Sequence, residues 1–239
     1  MKIHIESDPE TLAQTAATLF LDELKNLPID GSTQRTIVLT GGRSPLPLYR
    51  VLRERSSEAP WKGVHIYWSD ERYVSAEHSD SNQNLVNRHL LRYLPLNPAS
   101  IHPIATGFPS VEEAASANGS LLGTSNPHVP PFDIVLLSLG EDGHVASLFP
   151  GSAALTFQKP CFIPIRNAPK PPAERITMSL PCFTSARFIL LLATGESKAP
   201  AVARLRNGDP QIPATRLAAN TTAFHLFADR SAWGHSTDG

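Results

Sequence analysis

Apolar positions along this chain come in two alternating textures. Short runs with few polar interruptions lie at residues 36–40 (TIVLT), 64–68 (VHIYW), 134–138 (IVLLS), 175–180 (RITMSL), 187–194 (RFILLLAT) and 222–227. Residues 2–6 (KIHIE) alternate instead, with Ile3 and Ile5 on one side. Such runs predict strands, and near-continuous apolar ones predict strands buried on both faces. Between them, apolar residues recur at helical spacing. Asp8 and Pro9 read as an N-cap and a first helical position, and Leu12, Ala16, Leu19, Phe20 and Leu24 follow on one face. Helices are also predicted at 46–54, 81–91, 111–122 and from about 197 to 206.

Strands alternating with helices predict an α/β fold, a mostly parallel sheet with helices on both faces. Residues 97–109 and 124–131 read as loops, and PKPP at 169–172 as a stiff surface turn. Neither loop is long enough for a domain linker, and no repeat is visible, so residues 1–239 read as one domain.

Composition narrows the partners. The chain has 21 basic and 22 acidic residues, a formal net charge of −1, so no basic excess points to nucleic acid. The start, MKIHIESDPE, is polar rather than a secretory signal, and no apolar run approaches the ~20 residues that cross a bilayer. A cytoplasmic enzyme is expected. Cys161 and Cys182 form no Cys-x-x-Cys and read as a reduced pair.

In open α/β sheets ligands bind beyond the carboxyl ends of the strands. Four polar loops occupy such places: TGGRSP at 40–45, SDER at 69–72, GEDGH at 140–144 and TGESK at 194–198. Gly41 and Gly42 allow close backbone approach, and Ser44 before Pro45 reads as a helix N-cap. Free amides there suit an anion such as phosphate, although a plain strand-to-helix turn reads equally well. The loop is neither GxxxxGK[ST] nor GxGxxG, so no nucleotide cofactor is indicated. Asp70, Glu71 and Arg72 read most simply as a solvated corner, though Arg72 offers a fork for phosphate or carboxylate. Asp142, Gly143 and His144 fall where a strand turns into a predicted helix. The His144 imidazole suits acid–base work near neutrality, and a nearby carboxylate can fix its tautomer. No metal-ligand spacing such as HExxH is present. Lys198 lies near a helix N-terminus, against the helix dipole, which suits either a ligand role such as pairing with phosphate or an exposed side chain pointing to water.

Taken together, TGGRSPLPLY, SDERYVSAEHSDSNQNLVNRHLL, FDIVLLSLGEDGHVASLFPGS, KPPAERITMSL, TGESKAPAV and IPATRL resemble the 6-phosphogluconolactonase family. They occur in the family's order from about residue 40 to residue 217. The resemblance implies a modified Rossmann-like fold shared with glucosamine-6-phosphate deaminases. Arg43 and Ser44 stand where the family often has Ser-Thr, and Ser75 where proline is common. Ser138 stands where glycine is frequent.

The resemblance further implies hydrolysis of 6-phospho-D-glucono-1,5-lactone to 6-phosphogluconate without a cofactor. It also implies a functional link to glucose-6-phosphate dehydrogenase. His144 would be the general base, with Asp142 orienting it or lying against the sugar. Backbone amides near Gly143 and Arg72 would serve the oxyanion or substrate oxygens. Gly41, Gly42, Arg43 and Ser44 would hold phosphate, aided by Arg175 and Lys198, with Asp70 available to a sugar hydroxyl. Ser147, on a shared helix face with His144, is a weaker nucleophile candidate because GxSxG is absent. An amino-sugar-phosphate isomerase/deaminase is the nearest alternative. That family's corresponding segment usually continues to a glutamate, where this chain reads Ala146-Ser147-Leu148-Phe149-Pro150. A non-catalytic sugar-phosphate sensor is the second alternative. The first strand at the very start is expected to leave no room for a helix-turn-helix.

Overall fold

The computed structural model describes residues 1–28, 34–122, 132–221 and 223–234. The expected loop at 124–131 and Thr222 lie outside the described residues.

The chain opens with β1 (Lys2–Glu6) and helix α1 (Pro9–Asn26). Asp8 caps α1, its carboxylate accepting from the Glu10 and Thr11 amides at 2.9 Å each. The buried stripe is Leu12, Ala13, Ala16, Ala17, Phe20, Leu21 and Leu24, with Leu19 only at its margin. Then follow β2 (Arg35–Leu39), α2 (Leu46–Glu54), β3 (Val64–Trp68), β4 (Asp70–Arg72) and α3 (Asn82–His89). Next come β5 (Ile101–His102), α4 (Val111–Asn118) and β6 (Ile134–Ser138). They are followed by β7 (Phe162–Ile165), β8 (Arg175–Met178), α5 (Pro181–Thr184) and β9 (Phe188–Ala193). The last elements are α6 (Ala199–Arg206), α7 (Pro213–Ala219), β10 (Phe224–Asp229) and α8 (Arg230–Trp233).

Seven strands form one wholly parallel sheet in the order β1-β10-β9-β6-β2-β3-β5. Every residue of β2, β9 and β10 is buried, which is why these strands read as runs with few polar interruptions, unbroken in β9. From β2 the chain winds outward through β3 and β5. It then returns to β6, on the other side of β2, and winds the opposite way through β9 and β10. The gap between the carboxyl ends of β2 and β6 is therefore a topological switch point, where doubly wound sheets place their ligands.

A second sheet corrects three expectations. β4, β8 and β7 pair antiparallel in the order β4-β8-β7, with α4 packed on β7 and β8. The run at 175–180 thus belongs to this small sheet and not to the parallel one. Asp70 and Glu71 are not a solvated corner; they are strand residues only 4% and 2% exposed. PKPP is not simply a surface turn, because its Lys170 and Pro172 carbonyls accept from the buried Arg175 guanidinium.

The helices end sooner than the periodicity predicts. Residues 119–122 and 91–93 are single tight turns after α4 and α3. The 197–206 helix begins as a turn at Glu196–Lys198 and becomes α-helical at Ala199.

Candidate active site

The four loops singled out in the sequence meet in one open cleft of about 550 Å³ at the switch point. Gly41, Gly42, Arg43 and Ser44 line it from β2, Gly140 and His144 from β6, and Lys198 from β9. The small sheet supplies Asp70, Arg72 and Arg175.

The β2 loop is shaped by a close approach. A side chain on Gly41 would overlap Asn82, and Gly42 has a positive φ of 88° that favours glycine. The Asn82 amide in turn donates to the Asp70 carbonyl (2.9 Å) and to Asp70 Oδ1 (3.2 Å). Asn82 thereby joins the glycine loop to β4. Its Oδ1 is buried without a partner among the described residues. Helix α2 then starts at Leu46, with Pro45 rather than Ser44 as its N-cap residue. Ser44 instead faces the cleft, and no acidic residue stands in the first turn of α2 to compete for an anion.

The β6 loop is a tight turn, not the start of a helix. The Gly140 amide donates to the His144 carbonyl (2.8 Å), and the Gly143 amide donates to the Gly140 carbonyl (3.0 Å). Gly143 has φ +91°, and a Cβ there would collide with Ile212. The Gly143 amide is thus engaged within the turn, and Gly143 does not line the cleft.

His144 Nδ1 lies 2.5 Å from Asp142 Oδ1, and the same oxygen accepts from the His144 amide at 3.1 Å. Asp142 itself does not line the cleft; its carboxylate reaches the cleft through His144. Burial pushes the Asp142 carboxyl up. The His144 hydrogen bonds and charge outweigh it, bringing the pKa down to about 2. A carboxylate at Nδ1 fixes the proton there and leaves Nε2 as the free base. The ring is wedged between Gly140, where any Cβ would overlap Nδ1, and Phe149, whose ring centroid is 4.7 Å away.

Ser147 shares no helix with His144. After Ala146, which takes φ +52°, its side chain is fully buried. Ser147 Oγ donates to Asp70 Oδ2 (2.6 Å) and accepts from Arg175 Nη1 (3.4 Å). It is a structural bridge between β4 and β8, out of reach of a substrate.

Arg175 is 5% exposed, held by the Lys170 and Pro172 carbonyls, with its guanidinium 5.7 Å from the Phe149 ring centre. Burial lowers its pKa against the opposing pull of Asp70. Arg72 Nη1 is held by the Asp80 carbonyl (2.6 Å), while its Nε is buried and unpartnered among the described residues. Lys198 and Arg43 make no ion pair among the described residues. Desolvation lowers the Lys198 pKa, against the attraction of Glu141. Glu141 is paired instead with Lys170 at 2.6 Å across the cleft mouth.

Sequence reasoning missed Asn82, Lys170, Glu141 and Phe149 as cleft residues. Glu141 sits inside GEDGH, so loop position pointed at it, whereas Lys170 sits inside the PKPP turn, which carried no such signal. Glu71, adjacent to the site, is structural. Its carboxylate accepts from the Arg72, Asn82 and Gln83 amides at 2.7 Å each, anchoring the start of α3. Burial nevertheless raises its pKa.

The open α/β cleft thus holds a carboxylate-paired histidine beside several cations. Residues 7–226 match the model of the family described as glucosamine-6-phosphate isomerases/6-phosphogluconolactonase, and the chain belongs to that family. The chain is 39% identical to 6-phosphogluconolactonase of Synechocystis over 74% of this chain and 75% of that one. It is 32% identical to the Mycobacterium leprae enzyme of the same name over 96% of both chains. Among solved structures, Trypanosoma brucei 6-phosphogluconolactonase superposes with a TM-score of 0.81 at 26% identity, covering 97% of each chain. Among the described residues no helix is long and apolar enough to cross a membrane.

Proposed function

We propose that this chain hydrolyses 6-phospho-D-glucono-1,5-lactone to 6-phospho-D-gluconate, the second step of the oxidative pentose phosphate pathway, in the cytoplasm. The relatives named above carry that activity in their names. The observation that carries the reading for this chain is the Asp142–His144 pair beside unpaired cations in one cleft.

His144 Nε2 takes a proton from water as the water oxygen attacks C1. The carbonyl oxygen becomes negative and is met by the Arg72 guanidinium. The tetrahedral species then collapses: the bond from C1 to the ring oxygen breaks, and the leaving alkoxide takes the proton back from the imidazolium. One base thus serves both halves of the reaction. Asp142 supports the imidazolium that forms between them. Gly41, Gly42, Arg43 and Ser44 receive the phosphate, with Lys198 adding charge and Arg175 a buried positive field. Asp70 accepts from a sugar hydroxyl. A functional link to glucose-6-phosphate dehydrogenase follows from the origin of the lactone.

A lactone is an activated ester, so a single base contributing ~10²–10⁴-fold is adequate. The test is a coupled assay on freshly made lactone, corrected for spontaneous hydrolysis, with wild type and His144→Ala. The variant should fold normally and lose kcat/KM by that factor; near-normal turnover would refute the base assignment.

A further inference from the structure

A second cleft, of about 700 Å³, adjoins the first, and every residue that lines it is among those described. Phe149 lines both clefts, whereas Asp142 lines only the second. The wall between them is thus made of the two groups that hold the His144 ring: the Asp142 carboxylate at Nδ1 and the Phe149 ring packed beside it. A cleft of this size suits a small organic molecule.

Its lining says what fits there. Phe157, Ile163 and Ile165 join Phe149 in an apolar floor. Phe157 is 45% exposed, one of six large apolar side chains left exposed among the described residues. Three charged side chains face the cleft: Asp142, Arg166 and Arg204. Both guanidinium groups already have carboxylate partners. Arg166 forks onto Glu112 at 2.6 and 2.7 Å, and Arg204 Nε pairs with Asp209 at 2.7 Å. Asp142 Oδ1 accepts both bonds from His144, and no hydrogen bond reaches Oδ2 among the described residues. What remains is one free carboxylate oxygen beside an aromatic and aliphatic floor. An anion finds the arginines taken. A metal ion finds a single carboxylate and, among the described residues, no group of three ligating side chains. An organic ammonium finds a counter-charge and aromatic rings suited to a cation.

We infer that this second cleft binds a small organic ammonium with an apolar body, its nitrogen on Asp142 Oδ2 and its body against Phe149 and Phe157. The binding does not depend on the proposed reaction. Its effect on rate rests on that reading: an ion pair at Oδ2 draws charge from the carboxylate that supports His144, so occupancy slows turnover without filling the first cleft.

The experiment uses 2-phenylethylammonium as the probe, with 2-phenylethanol and 3-phenylpropionate as neutral and anionic counterparts of similar shape. Binding to the full chain is measured by calorimetry, and lactonase rates are measured beside it. The ammonium should bind at least ~10-fold tighter than either counterpart, and should do so alongside saturating 6-phosphogluconate. It should lower kcat by about 5-fold or more with little change in KM, the scale of ordinary coupling between two sites. Asp142→Asn should bind the ammonium no better than the alcohol. Phe157→Ala, outside the catalytic machinery, should keep basal activity and weaken the ammonium by about 5-fold. Equal binding of the three probes would overturn the inference. So would competition with 6-phosphogluconate, or binding that either variant leaves undiminished. Binding that leaves kcat unchanged in an active enzyme would overturn the link to His144. A chain that binds the ammonium and hydrolyses no lactone would uphold this site and refute the proposed reaction instead.

Discussion

The two sheets equip the same cleft in different ways. The parallel sheet contributes what lies beyond its strands: the Gly41–Ser44 backbone, the Asp142–His144 turn and Lys198. These groups are part-exposed or unpaired and free to meet a ligand. The antiparallel sheet contributes charged side chains from within its strands. Asp70, Glu71 and Arg175 are all at most 5% exposed and bonded to one another's neighbours through Ser147, Asn82 and backbone carbonyls. The first set is held at one end only, and it is the set proposed to meet the ligand. The second set fixes the cleft wall, because an unpaired buried charge would be too costly.

That division can be broken experimentally. The largest effect after loss of His144 itself belongs to Asp142→Asn. It keeps an oxygen for the His144 amide but removes the charge that selects the Nδ1–H tautomer. Turnover should fall about 10²-fold, with little change in KM for the lactone. A rate within twofold of wild type would mean that Asp142 does not orient the base. Gly140→Ala should follow, at up to about 10²-fold in kcat/KM, because the added methyl must displace the imidazole. Its crystal structure should show the ring moved with the sheet unchanged; an unmoved ring would contradict the packing described.

Lys198→Ala should raise KM for the phosphorylated lactone by about 10-fold, the scale of one charge-assisted hydrogen bond. It should leave unphosphorylated gluconolactone nearly unaffected; equal losses on both substrates would remove Lys198 from phosphate binding. Removing Ser147 tests the other sheet. Ser147→Ala leaves Asp70 and Arg175 with one bridge fewer, so thermal stability should drop while catalytic constants move little. The expected cost is about 1–3 kcal/mol, that of an orphaned buried polar group. A large loss of kcat with unchanged stability would place Ser147 in the chemistry after all.

The smallest effect is on stability and pH, away from the cleft. Burial lowers the His225 pKa from 6.5 to about 4, and His4, beside it at 3.1 Å, is lowered too. A base whose folded pKa is depressed takes up its proton more readily in the unfolded chain. Stability is then full above pH 6.5 and declines as pH falls from 6.5 toward 4. His225→Gln should flatten that part of a plot of Tm against pH, and an unchanged slope would assign the acid sensitivity elsewhere.

The same contrast explains what was legible in the sequence. The strands of the parallel sheet announce themselves because burial on both faces demands unbroken apolar runs, as in FILLLA of β9. Their carboxyl-end loops follow from the general rule for such sheets, so GGRS, GEDGH and TGESK could be picked out by position. The antiparallel sheet hid itself. β4 is three charged residues, and β7 (FIPI) is four residues interrupted by proline. Neither has a period to detect, and tertiary hydrogen bonds rather than hydrophobic pattern hold Asp70 and Glu71 inside. The loop after β6 misled for a related reason. His144 to Phe149 has helical composition, but Ala146 adopts a positive φ and Ser147 turns inward to Asp70. That partner lies 77 positions away in sequence. The resemblance to known lactonases supplied the substrate, which geometry alone leaves open among sugar phosphates.

The proposed cleft unites a carboxylate-oriented base with a phosphate site for a lactone. Its most direct test is kcat/KM of the wild-type chain on freshly made 6-phosphogluconolactone. Unphosphorylated gluconolactone, and ammonia release from glucosamine 6-phosphate, should be measured beside it. Fast hydrolysis of the phosphorylated lactone is expected, at least about 10²-fold preferred over its unphosphorylated counterpart, and no ammonia. Equal rates on both lactones, or ammonia release without lactone hydrolysis, would contradict it.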